Sequence, residues 1–405
     1  MRQARINMSC GQTDIYPKAL EEMGKQLGTP IYYPPYWEIE VAAVEMIQRL
    51  LHTKDDVILM DGCATYGEEA AMVSTLEEGD TVITAISGIF GQVLYDIASV
   101  IGAEPVPVRV EDGDVVTLEM IREALEEHPE AKMVAVVHVE TSMGTVNPVD
   151  EIGDVVRKFP GVLYMVDAVS SFACMEVRVD DWGIDLCCTS PQKSLNAPQG
   201  TAIVAVSERA WRRMEERRTP IRSLCMDLTV WRAYHQGVRR AYAVARGEGG
   251  VQDVAVAAAR KAAHGPSPSY VLIKGLKAAL DEVFDEGPER VFWRHKVASK
   301  AVREAVRALG LGVKAKREEI AAPSCTKVVW PKGLDVGKLG KLMQEKYGVA
   351  IGGDRIGTMG FVARPQYVLP TIYALEQTLK EMGVNVPAGA GVAAATRVFA
   401  EEGAL

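Results

Sequence analysis

LYMVDAVSSF (163–172), followed by GIDLCCTSPQKSLNAPQG (183–200), decides how this chain is read. Each stretch carries an apolar, β-branched run of strand length, Leu163-Val166 and Leu186-Thr189, bounded by turn-forming residues. Asp167 closes the first run, and Lys193 sits in a polar turn after the second, 26 positions later. In a parallel sheet both strand ends face the same edge, where open α/β folds build their sites. A carboxylate and an amine are therefore predicted to share one cleft.

Working outward, the same alternation of short strands and amphipathic helices continues. Strands are predicted at Val57-Met60, Thr81-Ala85, Met133-Val139 and Thr201-Val206, and helices at Glu69-Leu76, Gly91-Ile101, Thr117-Glu126 and Val149-Lys158. Trp37-His52 places Ile39, Ala43, Ile47 and Leu50 on one helical face. The fold class is α/β, a mostly parallel sheet sandwiched by helices. A long helix from Pro288 to Leu309, a strand-helix-strand unit (Ser324-Trp330, Asp335-Tyr347, Val349-Gly352) and a helix at Pro370-Met382 predict a smaller C-terminal α+β domain. The expected division is an N-terminal segment (1–30) reaching the active site, a large domain (31–284), a small domain (285–386) and an Ala- and Gly-rich tail (387–405), either loosely docked or disordered.

Composition narrows the class. The 405 residues are 48% hydrophobic and 24% charged, as in a globular enzyme with a large core. A formal charge of -9 argues against nucleic acid as a partner. No run reaches the ~20 apolar residues of a membrane span, and the N-terminus lacks a signal-peptide apolar region, so a cytoplasmic protein with no membrane partner is expected. The seven cysteines are scattered, without zinc-type spacing, and read as reduced thiols rather than a metal site.

A buried lysine loses charge through desolvation and becomes a nucleophile toward an aldehyde. A carboxylate facing a pyridine nitrogen keeps that ring protonated and electron-withdrawing. Together Asp167 and Lys193 supply what pyridoxal 5'-phosphate requires. A lone strand-end acid and a lone turn lysine are usually solvated, so the neighbouring sequence carries the weight. VILM (57–60) runs into GCATYGEEAA (62–71), whose small residues at a strand-to-helix turn suit a phosphate. GIFGQ (88–92) places Phe90 on a loop, where its flat ring can stack on a pyridine.

These blocks, with CGQT (10–13), HVETSMGTVNP (138–148), GPERVFWRH (287–295) and RIGTMG (355–360), resemble in residue type and order a class V aminotransferase of fold type I. The similarity is to the branch with alanine/serine:glyoxylate and pyridoxamine:pyruvate enzymes, and runs from about Cys10 to Met382. The resemblance implies that Lys193 forms the Schiff base and shuttles the proton, and that Asp167 pairs with the pyridinium nitrogen. It places Phe90 and Val169 on opposite ring faces, Thr141 near the ring hydroxyl, and Cys63, Ala64, Thr65 and Gln192 on the phosphate. Gly11 and Arg355 would bind substrate, Arg355 through its carboxylate. A homodimer with interfacial active sites is implied, moving an amino group from a small amino acid or amine to a 2-oxo acid such as pyruvate or glyoxylate by a ping-pong cycle.

The chain departs from that pattern in several places. Cys63-Ala64 replaces the usual Ser-Gly, Val93 replaces a common arginine, and the loop before Arg355 is short. Where relatives donate a Tyr and a Thr across the subunit interface to the phosphate stand Ala262 and Gly265, with His264 between them as a substitute. Residues 232–264 form an expected basic insertion, with Arg232, Arg239, Arg240, Arg246, Arg260 and Lys261 against Glu248 and Asp253. It reads either as a lid attracting an anionic, phosphate-bearing co-substrate or as a solvated surface helix. Lyase or β/γ-replacement chemistry needs the same Asp/Lys pair and is the alternative; a desulfurase would want a mobile loop cysteine, whereas Cys325 lies on a predicted strand, and the intact Asp167 and Lys193 weigh against a catalytically silent regulatory role.

Overall fold

The computed structural model describes residues 4–28, 31, 33–248 and 268–405. Strands in chain order are β1 (Ile6–Met8), β2 (Asp56–Asp61), β3 (Thr81–Ile86), β4 (Glu104–Arg109), β5 (Met133–Val137), β6 (Val139–Glu140), β7 (Thr145–Val146), β8 (Leu163–Asp167), β9 (Leu186–Thr189), β10 (Thr201–Val206), β11 (Gly312–Val313), β12 (Cys325–Val329), β13 (Val349–Ile351) and β14 (Arg355–Gly357). Seven of them make the main sheet in the order β2-β10-β9-β8-β5-β3-β4. β4, β3, β5, β8 and β9 pair in parallel, and β10 is antiparallel to both β9 and β2.

Burial on both faces explains the near-continuous apolar strands. Alternate residues point to opposite sides: Val57, Leu59, Val134 and Val136 join one core cluster, while Ile58, Met60, Met133 and Ala135 join the other. β4 (EPVPVR) is a strand that hydrophobic patterning misses. Pro105 and Pro107 lack N–H donors, which is tolerated because β4 is the sheet edge and pairs with β3 alone. The predicted strand Met133-Val139 is shorter than expected. After Val137 pairs with Asp167, the chain leaves the sheet and folds into the β6–β7 hairpin, which carries Glu140 and Thr141 toward the cleft.

The C-terminal region builds a second core on the helix Pro288–Ala308 and the three-stranded sheet β11-β12-β14. β1 pairs in parallel with β13, so the N-terminal segment is tied to this region before it crosses to the large sheet. The helix expected to start at Pro370 begins at Pro365 and encloses Pro370. Pro365 takes the first-turn position, where a missing N–H costs nothing. The tail is a packed helix, Ala390–Glu401, burying Ala394, Ala395, Val398 and Phe399; Gly391 lies so near Ile372 and Leu309 that a Cβ would approach within 3.0 Å.

The basic segment is described only to residue 248. Arg232 and Arg239 lie on the helix Leu228–Ala245, which buries Trp231, Tyr234, His235 and Val238. Arg232 pairs with Asp56 at 2.8 Å and lies 4.3 Å over the Trp211 ring, and Arg246 pairs with Glu248 at 3.1 Å. Beneath them His235 Nδ1 and Tyr234 Oη share the buried Glu40 carboxylate at 2.8 and 3.0 Å. Packing holds one side of this helix in the core, while Arg240 and, just past its end, Arg246 stay exposed, as on a surface helix. Residues 249–264, including the expected phosphate substitute His264, lie outside the described residues. No helix among the described residues is long and apolar enough to cross a membrane.

Candidate active site

β8 and β9 run in parallel with Asp167 opposite Cys188, so the Asp167 carboxylate and the turn after β9 emerge at one sheet edge. The turn folds back on itself, Asn196 N–H donating to the Lys193 carbonyl at 3.1 Å and Ala197 N–H to Pro191 O at 3.1 Å. Asn196 adopts the left-handed region (φ 51°), and its Oδ1 accepts from Phe361 N at 2.6 Å. Gly360, at φ 68°, has no space for a side chain against Asn196. The lysine turn is thereby locked to the C-terminal region. From the N-terminal side, Thr13 Oγ1 donates to the carbonyls of Gln192 and Lys193, each at 2.9 Å.

Lys193 Nζ donates to the Cys10 carbonyl at 2.7 Å and lies 6.0 Å from the centroid of the Phe90 ring. Burial lowers the lysine's pKa; the Arg355 charge adds to this, while Cys10, Cys325 and Asp167 oppose it. Burial likewise pushes Asp167 up to about 7, with Glu140 raising it further, and the Val169 N–H and the Lys193 charge pulling it down. The Val169 N–H donates to Asp167 Oδ1 at 2.8 Å. A second buried acid, Glu68, lies within electrostatic reach of Asp167 and Cys63, and burial raises its pKa well above the carboxylate range.

Asp167's raised pKa has a signed consequence for stability. The folded state holds its proton more tightly than the unfolded chain, so the group's favourable contribution is complete below about pH 4. It is lost as pH rises through about 7. At ~1.4 kcal/mol per pH unit the full span is about 4 kcal/mol. The urea midpoint of ligand-free Asp167→Asn should therefore gain on wild type as pH climbs across that window. A gap that stays constant with pH would reject the assignment.

The phosphate-type turn is present. Cys63 is the N-cap of the helix Ala64–Thr75 and makes no side-chain cap, so the first-turn N–H groups of Ala64 and Thr65 have no intrahelical acceptor. Gly62 (φ 156°) faces the Tyr66 ring, with an added Cβ falling 2.8 Å from it. Around the lysine turn, the Thr141 and Ser190 hydroxyls and Gln192 Oε1 are buried without a hydrogen-bond partner among the described residues. Leaving a buried polar group unpaired costs ~1–3 kcal/mol each, so such a set fits a cleft lined for a polar, phosphorylated ligand.

Phe90 lies in the first turn of the helix Ile89–Val100, not on the loop expected for it. Its holder is Glu140, which sequence reasoning passed over although it stands inside HVETSMGTVNP. The buried Glu140 carboxylate accepts from the N–H groups of Phe90 (3.0 Å), Gly91 (3.2 Å) and Ser142 (3.0 Å), and from Ser142 Oγ (2.6 Å). Gly88 is required here, since a Cβ would lie 2.5 Å from the Glu140 carboxyl carbon. Glu140→Ala strands several buried donors, and a loss of about 3 kcal/mol in unfolding free energy is expected. Glu140→Gln, which keeps acceptor capacity, should lose less. Equal urea midpoints for wild type and Glu140→Ala would contradict this.

Arg355, the first residue of β14, keeps about 28% of its side chain exposed, and its only ion pair among the described residues is a long one, 3.8 Å to Asp354. Its charge reaches Lys193, Cys10 and Cys325, which places it at the same cleft. Gly11 is exposed beside Cys10, with nothing within 4 Å of an added Cβ. Sequence-predicted residues from four separate regions thus converge on one cleft.

Comparison with known proteins agrees with this geometry. Residues 38–221 match the family model for class V aminotransferases. The chain is 30% identical over 403 residues to pyridoxamine–pyruvate transaminase of Mesorhizobium japonicum, covering 97% of this chain and 96% of that protein. It is 30% identical to (S)-ureidoglycine–glyoxylate transaminase of Bacillus subtilis, with 98% and 96% covered. Among solved structures, pyridoxamine–pyruvate aminotransferase from Mesorhizobium loti superposes with a TM-score of 0.87 at 29% identity, covering 99% of this chain and 100% of that one.

Proposed function

Because this chain belongs to the class V aminotransferase family, we propose that it transfers an amino group from a small amino acid or amine to a 2-oxo acid of the pyruvate or glyoxylate class, using pyridoxal 5'-phosphate. The observation carrying this reading is the buried Lys193 amine, its pKa lowered by burial, near buried Asp167, with the unpartnered Thr141 and Ser190 hydroxyls around it among the described residues and the Arg355 charge within reach. Pyridoxal phosphate, when bound, supplies an aldehyde and an electron-withdrawing ring.

The chain's own residues do the remaining work. Lys193, its pKa lowered by burial, would be the nucleophile toward the aldehyde and then the base that moves the proton from the donor's α-carbon. Asp167 holds a proton on the ring nitrogen; an opposite charge there favours its ionised form and reverses the effect of burial. Phe90, fixed by Glu140, and Val169 confine the ring from its two faces, and Thr141 serves its hydroxyl side. The N–H groups of Cys63, Ala64 and Thr65, with Gln192, take the phosphate. Arg355 takes the substrate carboxylate as a fork, and Gly11 leaves space for substrate at the cleft mouth.

The active form in this reading is a cytoplasmic homodimer with large and small domains meeting near residue 285. The test is to incubate the purified holoprotein with a panel of amino acids and amines, each with pyruvate or glyoxylate. Alanine or glycine formed in step with donor loss supports transfer. Ammonia or sulfide release without either product would move the assignment to lyase or replacement chemistry.

A further inference from the structure

Two cysteines that the proposed reaction does not use meet beside Lys193. β12 and β14 pair so that Cys325 stands opposite Gly357. Gly357 has no Cβ, and one added there would sit 2.4 Å from the Ser9 carbonyl oxygen; one added at Gly352 would lie 3.4 Å from Cys10 N. The N-terminal segment therefore runs directly across β14 and delivers residue 10 onto residue 325. Cys10 and Cys325, each 1% exposed, share one buried cluster with Val139, Ala322 and Met359. Each thiol is the largest influence on the other's acidity. Cys325 Sγ also lies 3.8 Å from the Thr141 carbonyl, while the Cys10 carbonyl holds Lys193 Nζ.

We propose that Cys10 and Cys325 are a redox-modifiable pair, closed to a disulfide by hydrogen peroxide that enters through the substrate site. The Cys325 thiolate attacks one peroxide oxygen, the O–O bond breaks, and the departing hydroxide takes up a proton to leave as water. Cys325 is then a sulfenic acid. The Cys10 sulfur attacks the Cys325 sulfur, the S–O bond breaks, and the expelled hydroxide leaves as water with the Cys10 proton. Two thiols lose two electrons, and the peroxide is reduced to two waters. Arg355 and Lys193 favour the thiolate: the Cys325 pKa is lowered, first by its contact with Cys10 and then by these two cations, against burial. The other buried cysteines lack these features together. Cys187 and Cys188 are adjacent on β9 and point to opposite faces, and Cys174 donates to the carbonyls of Ser170 and Ser171.

The consequence follows from the Cys10 carbonyl. A bridge fastens to β12 the residue that anchors Lys193, and Lys193 must move to work. Oxidation should therefore suppress turnover, and a dithiol should restore it.

The experiment exposes the full-length holoprotein to hydrogen peroxide, blocks free thiols with iodoacetamide, and maps peptides by mass spectrometry with and without dithiothreitol. The expected result is a reducible cross-link joining the Cys10 and Cys325 peptides, appearing in step with activity loss. Cys10→Ser and Cys325→Ser should each lack the link and lose the reversible component of peroxide sensitivity. A link between Cys174 and Cys325, intermolecular links through exposed Cys63 or Cys225, or sulfinic acid at Cys325 without a bridge would each overturn the pairing. So would activity loss unchanged in both variants.

Discussion

Lys193→Ala is expected to lower turnover by at least about 10⁴-fold, ~5.5 kcal/mol at the transition state, while leaving the fold intact. The lysine's covalent and proton-transfer roles have no understudy: the other cation whose charge acts on it is Arg355, and a guanidinium cannot serve as a base. The fold should not suffer, because burial already disfavours the charged amine. That cost grows as pH falls from the ordinary lysine pKa to the depressed one and is constant below it, and the alanine variant escapes it. Borohydride reduction of the holoprotein followed by peptide mapping gives a readout independent of activity. A pyridoxyl label should appear on the peptide containing Lys193 in wild type and be missing in the variant. Near-wild-type turnover, or a label on another lysine, would remove Lys193 from the proposed role.

Asp167→Asn should reduce kcat by about 100-fold, ~2.7 kcal/mol, through loss of the negative partner for a protonated ring nitrogen in a water-poor cleft. The asparagine keeps the volume and the contact with the Val169 N–H, so the effect isolates charge from packing. A fall of less than about tenfold, ~1.4 kcal/mol, would mean that Asp167 does not face the ring. The same variant tests the stability argument in the absence of ligand, where the two consequences have opposite signs: the substitution relieves a buried carboxylate above about pH 7 yet impairs catalysis. A variant less active and more stable at neutral pH is the combined expectation.

Much of the site was legible because it is built from local signals. Asp167 and Lys193 each follow an apolar run, and two parallel strands bring their ends together without any further information. The strand-to-helix turn before Ala64 was equally readable, since small residues after an apolar run mark such a turn. What escaped were groups acting at a distance. Glu140 looked like one polar residue within a motif until its carboxylate was seen gathering N–H groups 49 and 50 positions away. The basic run reads as solvated, which holds for the exposed Arg240 and Arg246 but not for Arg232, because charge was counted without its face. The apolar residues on the same helix, and Asp56 at the end of a distant strand, decide that it packs.

The sequence by itself determined the α/β class, the order of its main strands, and the pairing of an acid with an amine at one sheet edge. Side-chain periodicity and turn chemistry act over a few residues and need no knowledge of the rest of the chain. Only the tertiary structure decided that β10 runs antiparallel between β9 and β2, that Pro370 lies within a helix, and that the tail packs on Pro288–Ala308. It also decided that the Cys10 carbonyl, 183 positions from Lys193, receives the lysine's hydrogen bond, and that Cys10 and Cys325 meet there. Such contacts depend on how whole layers pack and on backbones close enough that Gly357 and Gly360 cannot carry side chains. No local pattern encodes that distance.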